Sequence, residues 1–479
     1  MMTKSRAEEL FAAEVIDQDA LFAALFAATM LKERFESDFS RSAGKGTDRL
    51  NGFQFAARAN TECEVASAKC LEGTYRFAPY LENLKLKGRA KAPRLIGIPT
   101  VRDRVVLSQL NRFLAAVFPD RVPKNIASAY VRSVSEDLKT KPPAETWICS
   151  TDIMTFYDAI QQDRLMSVLR RKIKSKRALV LVQGALRTPT VPKNTKRSRH
   201  SEFRPKRGVP QGLAISNILA AIYMSDVDDA MKKLGVAYYR YVDDVLMYGG
   251  KEAVDRALRS LRARLRRRGL SLHSEASGKT SRQPMTMTFG YLGYTFTWPQ
   301  VSVREATVER FLQSIAAKFS EYVHNKARRL DRFKYLTEAR LAEIFLLELN
   351  ERITGAVSEK KRYGWIAYYN QITDLSLLHR LDRAIARMFR RLPDFGGQAP
   401  ERLRSLSRAY FEMKFNPRGG YVRDYDKIVT RAEKLTFLQE RGRMDPAVTL
   451  SDEQINDRYS NYLHHVLAAM HADESAPYV

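Results

Sequence analysis

The chain has 479 residues, with 81 Lys and Arg against 54 Asp and Glu, and a formal net charge of +27. That length exceeds one hydrophobic core, so roughly two to four domains are expected, and a hydrophobic share of 44% excludes wholesale disorder. The positive surplus points to a polyanion, most simply nucleic acid, with an anionic membrane surface as the competing partner.

Residues 5–70 read as helical, rich in Ala, Glu, Leu and Phe, with no proline before Pro79. Within them, Leu21, Leu25, Ala28 and Leu31 recur at helical spacing and predict one helix over Asp17–Phe39. The apolar run Ala20–Leu31 is too short to span a bilayer, and no secretory signal or repeat is visible. Cys63, Cys70 and Cys149 make neither a disulfide framework nor a paired zinc motif, and read as reduced thiols of a cytoplasmic protein. Two strands follow, Tyr80–Lys87 and Arg94–Ile98, joined by a basic turn. Lys87 and Arg94 flank that turn and could clamp a triphosphate, the Arg through its planar fork. A solvated basic turn is an equal reading. Thr100–Phe118 is a helix with Val105, Val106, Leu110 and Phe113 turned inward.

Trp147 and Ile148 lead as a strand into Asp152, with Phe156, Tyr157 and Asp158 beyond. A basic loop, Lys193–Arg207, carries Arg204, Lys206 and Arg207 and runs into Gly208-Val-Pro-Gln-Gly. Gly208 and Gly212 would let backbone approach a nucleotide closely. An apolar helix, Ile218–Met231, follows Ser216-Asn217. Tyr239–Tyr248 then places adjacent acids, Asp243 and Asp244, inside an aromatic and β-branched run. Side chains alternate along a strand, so a tight hairpin with the acids at its tip fits better than a continuous strand. Adjacent carboxylates near a core need a compensating cation, and Mg²⁺ takes oxygen ligands of this kind. A solvated hairpin tip is the bland alternative. The helix Val254–Arg268 carries seven arginines, which suit a solvated face as well as an RNA-binding one.

These blocks, in this order, resemble reverse transcriptases. Asp152-Ile-Met-Thr-Phe-Tyr-Asp resembles the strand carrying the first metal-binding Asp. Gly208-Val-Pro-Gln-Gly with Ser216 is similar to the Pro-Gln-Gly block, where Ser-Pro is commoner than Ser216-Asn217. Tyr241-Val-Asp-Asp resembles the signature hairpin, Gly278-Lys-Thr the Lys-Thr block, and Phe289-Gly-Tyr-Leu-Gly-Tyr the hairpin that grips the primer. Arg94-Leu-Ile-Gly-Ile-Pro-Thr and Asp103-Arg-Val-Val are similar to the fingers blocks of bacterial and group II intron enzymes.

The resemblance implies an α+β right-hand polymerase fold. It would have an N-terminal helical extension (1–70), fingers and palm (71–300), a helical thumb (301–395) and a C-terminal helical appendage (396–479). It implies two Mg²⁺ ions, with Mn²⁺ as a substitute, held by Asp152, Asp243, Asp244 and the Ile153 carbonyl. Lys87, Arg94, Tyr157, Gln211 and Lys279 would contact the dNTP, with Tyr157 as the gate against a ribose 2′-OH. Lys279 would protonate pyrophosphate or simply face phosphate. Arg204, Lys206, Arg207, Leu292 and Gly293 would contact nucleic acid. The expected partners are an RNA template, a DNA product and dNTPs, with no membrane and self-association left open.

The aromatics of 300–392, a segment read as helical, are expected to be core rather than base-stacking platforms, and Pro393–Pro400 a linker. The terminal extensions resemble bacterial reverse transcriptases of antiphage defence that copy a dedicated non-coding RNA. Intron or retron enzymes, template-independent or protein-primed polymerases, and a non-catalytic RNA-binding protein are the alternatives.

Overall fold

The computed structural model describes residues 17–85, 93–122, 126–417 and 419–474. They form two compact units: the described parts of Met1–Lys124 with Glu145–Gln283, and those of Asn125–Ala144 with Pro284–Val479. Each combines helices with small sheets, so the expected α+β class holds.

In the first unit, the chain enters through two helices, Gln18–Leu25 and Ala28–Asp38, where one was expected. The break falls at Phe26–Ala27. A single straight helix cannot turn every apolar residue of this run to one side. Breaking it buries Leu21, Phe22, Leu25 and Phe26 together with Met30, Leu31 and Phe35. The rings of Phe22 and Phe26 stack at 4.3 Å. The three cysteines are free and buried, and burial pushes the Cys63 thiol up to about 11 and that of Cys149 up to about 12.

Strand β1 (Tyr80–Lys85) pairs antiparallel with β2 (Arg94–Ile98), bringing Lys85 opposite Arg94. Lys87 lies outside the described residues. The helix Val101–Val117 starts at Thr100, whose hydroxyl caps the Asp103 amide, and buries Val105, Val106, Leu110 and Phe113 as expected. Asp103 is fully buried, and its carboxylate accepts from the Tyr75 hydroxyl (2.6 Å), the Thr100 hydroxyl (2.8 Å) and the Ala78 amide (3.1 Å). Burial pushes its carboxyl up, and these bonds oppose the shift. Asp103 therefore ties the helix start to the segment entering β1. Asp103→Ala would leave two buried hydroxyls and one part-buried amide without their acceptor. It is expected to lower stability by about 2–4 kcal/mol in urea unfolding.

The main sheet has the order β5-β6-β3-β7. Its strands are β3 (Trp147–Asp152), β5 (Ala237–Tyr241), β6 (Asp244–Gly249) and β7 (Ser281–Pro284), and the short β4 (Thr190–Val191) runs parallel to β1 elsewhere. Val245, Leu246, Met247 and Tyr248 of β6 are all buried, as expected of a strand covered on both faces. The helix Lys251–Arg267 buries Val254, Ala257, Leu258, Leu261 and Leu265, spaced at helical intervals.

The second unit contains the meander β8 (Phe289–Tyr291), β9 (Tyr294–Thr297) and β10 (Gln300–Val303). The helix Glu305–Arg332 follows, burying Phe311, Ile315, Phe319 and Tyr322 along one stripe, and then the helix Glu338–Thr354. Phe311, Trp365 and Tyr369 are core, as expected. Two expectations fail here. The supposedly all-helical segment contains a hairpin, β11 (Ala356–Ser358) with β12 (Lys361–Tyr363), and β13 (Arg423–Asp424) adds to it in parallel. Pro393–Phe395 is a tight 3₁₀ turn rather than a slack linker, because Asp394 accepts from Tyr322 and pairs with Lys326 at 2.7 Å. The remaining helices are Leu375–Met388, Leu406–Phe415, Arg431–Glu440 and Asp452–Glu474.

Candidate active site

The site lies in the first unit, at one end of the main sheet. Strands β5 and β6 are joined through Val242 and Asp243. Tyr241 pairs with Asp244, and Asp244 pairs on its other side with Asp152 of β3. The Ile153 amide donates to the Asp243 carbonyl at 3.0 Å. Asp152 on β3, Asp244 on β6 and Asp243 in the turn before β6 are therefore immediate neighbours, although about ninety residues separate the first from the pair. The acids sit at the hairpin tip, the placement that alternation favoured.

The tip is strained and braced. Val242, a β-branched residue, has φ of 57°, a conformation such side chains rarely adopt. Arg240 holds it by donating to the Val242 carbonyl at 2.7 Å, while its other nitrogens grip Asp228. Burial and the nearby Asp152 charge push the Asp243 carboxyl up to about 6. Arg94 on β2 acts in the opposite direction, which places its charge beside the acids.

Lys279 approaches from the segment before β7. Its Nζ donates to Asp152 Oδ2 at 2.7 Å and lies 2.9 Å from His273 Nε2. Thr280, next in sequence, is buried and bonded to Thr151 at 2.7 Å, which fixes where Lys279 emerges. Burial lowers the His273 pKa and Lys279 lowers it further, so the neutral ring accepts from the ammonium. Sequence reasoning missed His273, a lone histidine with no flanking pattern.

The Gly208–Gly212 loop lies against the same site. The Val209 amide donates to the Tyr157 carbonyl at 2.8 Å, and the Gly97 amide of β2 donates to the Gln211 carbonyl at 2.8 Å. The Gln211 side chain donates to Asp158 at 3.2 Å. Both glycines are required by close contacts within the protein itself. A Cβ on Gly208 (φ 88°) would meet Asp158 at 3.1 Å, and one on Gly212 (φ 98°) would meet Ile96 at 2.6 Å. The Tyr157 hydroxyl donates to Asn217, the residue standing where Pro is commoner in the resembled block. Arg204, Lys206 and Arg207 are exposed just before this loop. Leu292 and Gly293 form the turn between β8 and β9 in the second unit, both at positive φ.

Among the described residues, no group of three or more His, Cys, Asp or Glu side chains stands ready to cage a metal ion. The Lys279 ammonium takes up one Asp152 oxygen instead. The donor set nevertheless fits a divalent cation. Neighbouring carboxylates, one of them held well above its usual pKa by burial and a like charge, are relieved by a hard cation with oxygen ligands.

Residues 85–296 match the family profile of reverse transcriptase (RNA-dependent DNA polymerase). Over that stretch, less than half of its length, the chain is similar to the reverse transcriptase family. An uncharacterized 91 kDa protein in the cob intron of Schizosaccharomyces pombe is 30% identical over 152 residues, covering 30% of this chain and 17% of its own. The group II intron-encoded protein LtrA of Lactococcus lactis is 24% identical over 174 residues, covering 35% of this reverse transcriptase-related chain and 28% of its own. The chain thus spans less than a third of either relative. Among solved structures, telomerase from Candida albicans, in complex with a fragment of telomeric RNA, aligns at 13% identity with a TM-score of 0.41, over 68% of this chain and 64% of that one. Apo telomerase from Candida tropicalis aligns at 14% identity with a TM-score of 0.36, over 47% and 56%.

Proposed function

We propose that the protein is an RNA-directed DNA polymerase that adds dNTPs to a primer 3′ end on an RNA template. The observation that carries this reading is the meeting of Asp152, Asp243 and Asp244 at the hairpin tip. Asp152, Asp243 and the Ile153 carbonyl would hold two Mg²⁺ ions, with Asp244 more peripheral. When bound, these ions lower the pKa of the primer hydroxyl and offset the charge of the leaving pyrophosphate.

The chain's own groups position the substrate. Arg94 and Lys87 bind the triphosphate, and Gln211, tied to β2 and Asp158, lines the nascent base pair. Lys279 leaves Asp152 for the phosphates and neutralises or protonates the pyrophosphate. Arg204, Lys206 and Arg207 track the template, while Leu292 and Gly293 hold the primer strand. Tyr157 excludes a 2′-OH. No helix among the described residues is long and apolar enough to cross a membrane.

The curated relatives are intron proteins, which favours an intron-type enzyme over the antiphage role suggested by the terminal extensions. Sequencing RNA and cDNA that co-purify with the protein separates these. Intron RNA supports the first, and a dedicated short non-coding RNA supports the second. The polymerase reading itself is tested by Mg²⁺-dependent dTTP incorporation on poly(rA)/oligo(dT). Purified protein that incorporates nothing on this or any natural RNA template overturns it.

A gate variant gives a second check. Tyr157→Val is expected to raise rNTP use relative to dNTP by about 10–100-fold in kcat/KM. Asn217→Ala, which frees the Tyr157 hydroxyl, should give a smaller shift in the same direction, mainly through the KM for rNTPs. An unchanged ratio in both would remove Tyr157 from this role.

A further inference from the structure

The second unit contains a cavity of about 380 Å³ walled by Arg404, Arg408, Tyr421, Arg423, Arg441 and Glu351, among others. It lies within the C-terminal segment for which the sequence offers no chemistry. Its inner wall is unbalanced in charge. Arg441 is 1% exposed and Glu351 is 3% exposed, and the two form an ion pair through Arg441 Nη2. Arg423 Nε lies 3.5 Å from the same Glu351 oxygen. The other oxygen accepts from the Tyr425 hydroxyl at 3.1 Å.

Arg404 adds a third guanidinium, donating to the Tyr421 carbonyl and lying 5.1 Å over the Tyr421 ring. Burial lowers its pKa, and the charges of Arg423 and Arg441 add to that shift. Three arginines thus surround one buried carboxylate, a surplus of two positive charges. Arg441 Nε and Nη1 are buried and find no hydrogen-bond acceptor among the described residues. The face of Phe437, 5.2 Å away, meets the guanidinium but accepts no such bond.

Excess charge in a partly buried site is costly unless a counter-charge joins it. A phosphate monoester carries about −1.5 to −2 at pH 7 and three acceptor oxygens, whereas a backbone diester carries about −1. Arginine forks match phosphate oxygens in pairs. Arg408, exposed and 4.6 Å over the same Tyr421 ring, adds a further guanidinium at the rim, its Nε turned to Glu412 at 3.4 Å and its two terminal nitrogens left for a ligand. The volume is at the lower end of small-ligand sites, about 300–1,000 Å³.

We propose that this cavity is a binding site for a phosphate monoester, either the 5′-terminal phosphate of a nucleic acid strand or that of a free mononucleotide. It is separate from the polymerase site and does not depend on that assignment.

The test uses the full chain, inorganic phosphate, AMP, and a ten-nucleotide RNA with a 5′-phosphate or a 5′-hydroxyl. Thermal melting and fluorescence anisotropy are the readouts, with an Arg404→Gln, Arg408→Gln double variant alongside. A tenfold preference for 5′-phosphorylated RNA, lost in the variant, supports the site with a strand end as its ligand. Stabilisation by AMP or phosphate, lost in the variant, supports it with a free nucleotide as ligand. Primer extension by the variant should match that of the wild type. If the double variant melts abnormally without ligand, Arg408→Gln alone takes its place, because that side chain is exposed. No preference and no stabilisation in the wild type, or effects retained in the variant, overturns the proposal.

Discussion

Asp243→Asn is expected to abolish nucleotide incorporation while making the metal-free protein more stable. On the proposed mechanism, this carboxylate holds a cation worth several kcal/mol in the transition state, so its loss should lower the rate on the order of 10³-fold. The stability effect follows from geometry. Burial and the Asp152 charge raise the Asp243 pKa from 3.8 to about 6 in the folded protein. Between those values, the folded state holds a proton that the unfolded chain has released. The carboxyl therefore favours folding most below about pH 4. That contribution falls as the pH rises towards about 6 and is gone above it, leaving an ionised acid in a poor environment. The full penalty is on the order of 2–3 kcal/mol. Asparagine removes it and keeps the side-chain shape. Melting in EDTA at pH 8 should therefore show the variant above wild type, with the gap narrowing towards pH 5. Added Mg²⁺ should stabilise the wild type and not the variant. A variant that melts lower at pH 8 in EDTA, or one that still extends primers at the wild-type rate, contradicts the assignment.

The acids were legible in the sequence because their signal is local. Two carboxylates break an aromatic and β-branched run, and alternation favours a hairpin tip over a continuous strand. The helix Val101–Val117 was legible from its period of three to four, and the strand leading to Asp152 from the adjacent apolar Trp147 and Ile148. The features that escaped are contacts without periodicity. Lys279 reaches Asp152 across 127 positions, and His273 joins it with nothing in its own neighbourhood to mark it. Asn217 stood out only as a departure from the resembled block, and its bond to Tyr157 needed coordinates.

The β11–β12 hairpin escaped because its strands have three residues each. Its turn, Glu359–Lys360, takes positive φ at both positions without the glycine or asparagine that would announce it. Asp426 makes that turn tolerable by accepting from both turn amides, at 2.6 and 2.8 Å. That support comes from 66 or more positions away and leaves no local trace. The grouping of Asn125–Ala144 with the C-terminal half is of the same kind, because sequence order does not record it.

Glu351→Ala is expected to be the most destabilising single change in the second unit. Glu351 is the buried partner of Arg441, lies 3.5 Å from Arg423 and accepts from Tyr425. Removing it leaves a guanidinium that is 1% exposed without its counter-ion, and a buried hydroxyl without its acceptor. Breaking one side of a buried pair in this way costs about 3–5 kcal/mol, on a par with the largest truncations in an apolar core. Arg441→Met together with Glu351→Leu removes both charges and keeps the volume. It should recover most of the loss, since a buried pair is worth little against well-packed apolar side chains. Urea unfolding of the single and double variants separates the two effects. A single variant within about 1 kcal/mol of wild type would mean that water reaches Arg441 freely, contrary to its burial. The same series bears on the phosphate cavity. Glu351→Gln keeps the shape and raises the local surplus from two positive charges to three. It should therefore destabilise the free protein while increasing its stabilisation by phosphate, a reversal that loss of packing alone would not produce.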